Sequence, residues 1–164
     1  MIISYIHKIF WFVGLLLLQV LILNNVHIAG YATPFLYIYF ILRLEADISR
    51  NEAMLWGFAL GLCIDIFSNT SGMNAAATVM LAFARPVYLS MFTPRDNQKI
   101  VPSLKNMGFL SYVKYLLAAV FTHHIMLFTI AFFSFSDIHV LLIRIVSSTV
   151  LTVICMFAID EIRN

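Results

Sequence analysis

An acid, two arginines and a pair of histidines sit inside otherwise apolar runs, and each could do chemistry there. Asp65 lies two residues before the end of the run GFALGLCIDIF, which is followed by the small polar residues SNTSG. Arg85 precedes Pro86 in VMLAFARPVYLSMF, Arg144 interrupts VLLIRIV, and His123 and His124 are adjacent in AVFTHHIMLF. A carboxylate and a guanidinium can form an ion pair at depth, and imidazoles beside acids can relay protons. A relay needs further acids near the histidines, and none accompanies them in sequence. Adjacent helical residues also point about 100° apart, so His123 and His124 do not share one site and read as neutral packing residues. Lys114 is close enough to the start of its run to reach water along its own stem.

The usual catalytic constellations are missing. No HExxH, paired-carboxylate motif, G-x-S-x-G or P-loop occurs, so the expectation is a non-enzymatic protein without cofactor or metal. Cys63 and Cys155 lie in apolar runs with no metal-ligand spacing and read as packing residues. A net charge of +2 gives no reason to expect a nucleic-acid partner.

The elements that must position these residues follow from composition. Of 164 residues, 62% are hydrophobic and 11% charged, more apolar side chain than a soluble core of this size buries. Membrane lipid must solvate the excess. Peptide groups in lipid are paired within a helix or a closed barrel, and runs such as FWFVGLLLLQVLIL are apolar on every side instead of alternating. The expected class is therefore all-α, a polytopic membrane protein with one integral membrane domain over 1–164.

Breaks in the hydropathy give six spans, at 9–23, 34–46, 50–67, 73–92, 108–133 and 138–159. No small-x-small cleavage site follows the first run, which is read as an uncleaved span. Thr33 before Pro34, and Ser49 three residues before Glu52, are helix-start signals. The second span is short, rising only about 20 Å against a hydrocarbon core of roughly 30 Å. Lys8, Arg43, Arg50, Arg95, Lys99, Lys105 and Arg163 all fall at the termini or in the second and fourth connections. The connections 24–33, 68–72 and 134–137 carry no cation. That alternation predicts an even number of spans with both termini cytoplasmic.

Within this frame Gly57, Gly61 and Asp65 recur every four residues and share one face of the third helix. Glycines there allow close backbone approach, the main source of helix adhesion in lipid. Asp65 then stands at the outer end of a packing seam, within reach of solvent or a partner. Three roles are open to it: capping the start of the next helix, accepting hydrogen bonds from the SNTSG turn, or pairing with a cation such as Arg144, which lies at similar depth. Arg85 is read as a structural residue that reaches inward along its stem or pairs with an acid, beside a proline that interrupts its helix.

The block GFALGLCIDIFSNTSGMNAAATVMLAF resembles the signature of the rod-shape-determining MreD family, with matching positions Gly57, Gly61, Asp65, Ser68, Gly72 and Ala75. The sequence departs from that pattern at Asn69, where glycine is common, at Ser71, where a proline commonly precedes the glycine, and at Asn74, where the family often has histidine. The resemblance implies a non-enzymatic inner-membrane subunit of the bacterial cell-elongation complex. It would bind the bitopic protein MreC and act with MreB, a SEDS glycosyltransferase and a class B penicillin-binding protein in lateral peptidoglycan synthesis. It also implies a fold similar to the substrate-binding subunits of energy-coupling-factor (ECF) vitamin transporters. The alternative function is a small-molecule-binding subunit of such a transporter, which would present a polar pocket on its outer side.

Overall fold

The computed structural model of the chain describes residues 2–28, 30–93, 101–132 and 138–163. Arg95, Lys99, Phe133 and the connection 134–137 lie outside the described residues. Seven α-helices occur among them: α1 (Ile2–Leu21), α2 (Tyr39–Leu42), α3 (Arg50–Ser68), α4 (Met73–Phe92), α5 (Leu104–Met107), α6 (Phe109–Ala131) and α7 (Ile138–Arg163). The described residues hold no strand beyond one isolated bridge between Ile28 and Ala32. Four helices are long and apolar enough to cross a membrane, at Tyr5–Asn25, Met73–Phe92, Phe109–Ala131 and Ile138–Ile162. The 19-residue α3 is of similar length but carries Arg50, Glu52 and Asp65.

The start of α3 follows the sequence signal: Ser49 Oγ accepts the Glu52 amide at 3.2 Å and caps the first turn. The second expected span does not follow its signal. In place of a helix over 34–46, the chain reaches Leu36 without helix, makes one 3-10 turn at Leu36–Ile38, and completes only the single turn α2. Thr33 is not a cap, because the helical part begins after Phe35.

This short rod is the centre of the molecule, with Tyr37, Ile38, Tyr39, Ile41 and Leu42 all at 1% exposure or less. Non-helical backbone at such depth survives only if side chains pair its polar groups. They do. Gln19 from α1 accepts the Leu36 amide at 2.9 Å and donates to the Pro34 carbonyl at 3.0 Å. From α7, Ser148 accepts the Thr33 amide at 3.1 Å and Thr152 accepts the Phe35 amide at 3.0 Å. At the rod's other end Tyr115 of α6 donates to the Leu42 carbonyl at 3.0 Å. Three helices thus hold one broken segment among them.

Hydrogen bonds and ion pairs also sort the chain into two ends. At one, Asn24 donates to Ser68 at 2.7 Å, joining the segment after α1 to the end of α3. At the other, Lys8 pairs with Glu45 at 2.7 Å, and Asp160 near the end of α7 pairs with Arg43 at 3.1 Å. Apolar side chains point outward between these ends, among them Ile6, Phe10 and Leu17 on α1. On α7 Leu142, Val146, Val150 and Ile154 form a stripe at four-residue spacing. Such a continuous apolar girdle suits contact with lipid tails.

Candidate functional site

The candidate site grows from the hairpin of α3 and α4. A Cβ on Gly57 would stand 3.0 Å from the Thr78 carbonyl oxygen, and one on Gly61 would stand 2.5 Å from Ala75 Cα and 2.7 Å from its amide nitrogen. Only hydrogen fits at Gly61. The Thr78 hydroxyl lies 2.8 Å from the Gly57 carbonyl and 2.7 Å from the Asn74 carbonyl, fastening the seam across the two helices. Gly57 and Gly61 are therefore covered by α4 of the same chain.

The turn between the helices requires two left-handed residues. Asn69 closes α3 at φ +52°, a conformation asparagine tolerates and glycine adopts freely, and Gly72 opens α4 at φ +79°. Gly72 occupies the cap position of α4 and has no side chain to accept the first free amides. Asp65 supplies that acceptor from α3. Its Oδ2 accepts the Ala75 amide at 2.8 Å, and its Oδ1 accepts the Asn74 amide at 3.1 Å, the Asn74 side-chain amide at 2.9 Å, and the Thr70 hydroxyl. A negative charge at a helix N-terminus is also favoured by the helix dipole.

Asp65 is only 3% exposed and both its oxygens are engaged by donors of its own chain. Apart from Thr70, its donors lie in α4 and not in the SNTSG turn. The Asp65–Arg144 pair is not formed: Arg144 lies over the Phe132 ring, 5.1 Å from its centroid.

Asn74 extends the network inward. Its side-chain oxygen accepts the Tyr37 hydroxyl at 2.9 Å, and that hydroxyl lies 3.1 Å from His123 Nε2. A buried chain Asp65–Asn74–Tyr37–His123 thereby links α3, α4, the central rod and α6. A carboxamide does not hand on protons as a hydroxyl does, so the chain fixes positions and is not a proton wire. His123 and His124 are both inaccessible, and His124 stacks on Phe128 at 5.9 Å while facing Phe35 edge-on at 5.2 Å.

Arg85 serves the opposite end of the rod. It is 1% exposed, and its guanidinium donates to the carbonyls of Leu44 and Glu45. It closes the C-terminal side of α2 and meets backbone where an acid was one expectation. Nearby, Asp160 accepts from the Tyr39 hydroxyl and from Arg43, while Arg43 also donates to the Pro102 carbonyl at 2.9 Å. Sequence reasoning assigns no role to Gln19, Tyr37, Asn74 or Asp160, although Gln19 stands out as the strongly polar residue of the first apolar run and Asn74 as a departure from the MreD pattern.

Beside the capped hairpin lies a cavity of about 500 Å³. Phe35, Phe67 and Phe128 supply apolar walls, Asn24, Thr70 and Asn74 supply polar groups, and Arg144 is the cation. Its Nε is buried and has no hydrogen-bond partner. Among the described residues no group of three His, Cys, Asp or Glu side chains is arranged to hold a metal ion. No family model, curated protein or solved structure matches this chain.

Proposed function

We propose that this chain is a non-enzymatic, multi-pass subunit of the bacterial cell-elongation complex. It sits in the inner membrane, binds an MreC-like bitopic protein, and supports lateral peptidoglycan synthesis and cell shape alongside MreB, a SEDS glycosyltransferase and a class B penicillin-binding protein. The observation that carries this reading is the α3–α4 hairpin. Gly57, Gly61, Asp65 and Gly72, on which the resemblance to MreD proteins rests, act as one structural unit there. In this reading α1, the broken segment 33–46, α3, α4, α6 and α7 make six crossings, in a fold of the kind seen in ECF substrate-binding subunits. The Arg43–Asp160 end, with both termini, faces the cytoplasm, a placement that the distribution of Lys and Arg supports.

Affinity purification of the tagged full-length chain from native bacterial membranes tests this directly. The expected result is recovery of a bitopic protein with a periplasmic coiled coil, and rounding of rod-shaped cells when the chain is depleted. Recovery of a coupling ATPase module, with normal cell shape on depletion, would overturn it. That outcome belongs to the second reading, a small-molecule-binding subunit of an ECF-type vitamin transporter, which the 500 Å³ cavity favours.

A further inference from the structure

We propose that the cavity at the Asp65 end binds a small anionic amphiphile, with its phosphate or carboxylate head on Arg144 and its apolar body along Phe35, Phe67 and Phe128. This holds under either reading above. At about 500 Å³ the cavity falls within the range of roughly 300–1,000 Å³ typical of small-molecule sites. A buried guanidinium N–H without a partner is costly, and an oxyanion supplies the missing acceptor. The planar fork of arginine matches the paired oxygens of carboxylates and phosphates. A cation–π contact with Phe132, 5.1 Å from its centroid, holds the guanidinium beside the cavity.

The sign of the head group follows from the lining. Among the described residues no carboxylate faces the cavity, and the oxygens of the nearest buried acid, Asp65, are engaged by α4 and Thr70. The apolar body follows from the aromatic walls, which a free inorganic ion would leave uncovered. A second cavity at the opposite end does not qualify. It is about 130 Å³, and its cations Lys8 and Arg43 already pair with Glu45 and Asp160.

The test is calorimetric titration of the purified full-length chain in uncharged maltoside micelles with octyl phosphate, octyltrimethylammonium and inorganic phosphate. Saturable one-site binding of octyl phosphate is expected, weakened about tenfold or more by Arg144→Gln and less by Arg144→Lys, which keeps the charge. Ala131→Phe, which fills part of the cavity and leaves Arg144 in place, is also expected to lose binding. Monodisperse elution and unchanged helical circular dichroism certify each variant. Equal binding by wild type and the Gln variant, or equal binding of the cationic amphiphile or of bare phosphate, would overturn the proposal. Repeating the titration in phosphatidylcholine nanodiscs with and without phosphatidylglycerol assigns the source. Competition by phosphatidylglycerol marks a bilayer lipid as occupant, its absence marks a soluble ligand, and either upholds the site.

Discussion

Both oxygens of Asp65 accept from donors that its own chain provides, and this changes what its replacement does. In Asp65→Asn one oxygen becomes an NH2 group, which faces an amide or hydroxyl donor on either side of the carboxylate. Asparagine is therefore not spared. Asp65→Asn and Asp65→Ala are each expected to destabilise the chain by about 1 to 3 kcal/mol, read as a lower thermal midpoint of the detergent-solubilised protein. A wild-type midpoint for Asp65→Asn would show that the capping bonds carry no weight. Gly61 and Gly57 give a graded companion. A Cβ at Gly61 meets the α4 backbone well inside contact distance, whereas at Gly57 the approach is marginal. Gly61→Ala is thus expected to cost about 1 to 3 kcal/mol and Gly57→Ala less, and the reverse order would mean that the seam is looser than described. The shared face of Gly57, Gly61 and Asp65 was legible from four-residue spacing. That α4 of the same chain covers it was not, because spacing shows a face without showing what lies against it. Asn74 was noted in sequence only as a departure from the MreD pattern, although it joins the acid to Tyr37.

Among the elements, the broken second span shows how far hydropathy reaches. Its shortness was evident from the residue count. Its non-helical approach was not, since the groups that satisfy it come from Gln19, Ser148 and Thr152, distant in sequence and on two other helices. Replacing Gln19 with leucine leaves the Leu36 amide and the Pro34 carbonyl without this partner in a setting that water does not relieve. A loss of about 1 to 3 kcal/mol is expected, with faster proteolysis near 33–36 in membranes. Ser147→Ala is the control, because that half-buried hydroxyl bonds only to carbonyls of its own helix, Ile143 at 2.6 Å and Arg144 at 3.3 Å. If both variants matched wild type in stability and protease resistance, the rod would not depend on its side-chain partners.

Across the whole molecule, the contacts and the distribution of charge give the same two ends. Segments that the Lys and Arg count assigns to one side touch each other: Lys8 with Glu45, Arg43 with Asp160, and Asn24 with Ser68 across from them. The functional account needs this polarity, because it places the capped hairpin and the Arg144 cavity toward the periplasm and the Arg85 and Asp160 contacts toward the cytoplasm. Single cysteines in a background lacking Cys63 and Cys155 read it out in intact cells with an impermeant thiol reagent. Asn25, Asn69, Asn51 and Asn106 are all exposed and suit the purpose. Labelling at positions 25 and 69, with protection at 51 and 106 until the cells are opened, is the predicted result. Labelling at 51 or 106 in sealed cells, or protection at 69, would contradict the account.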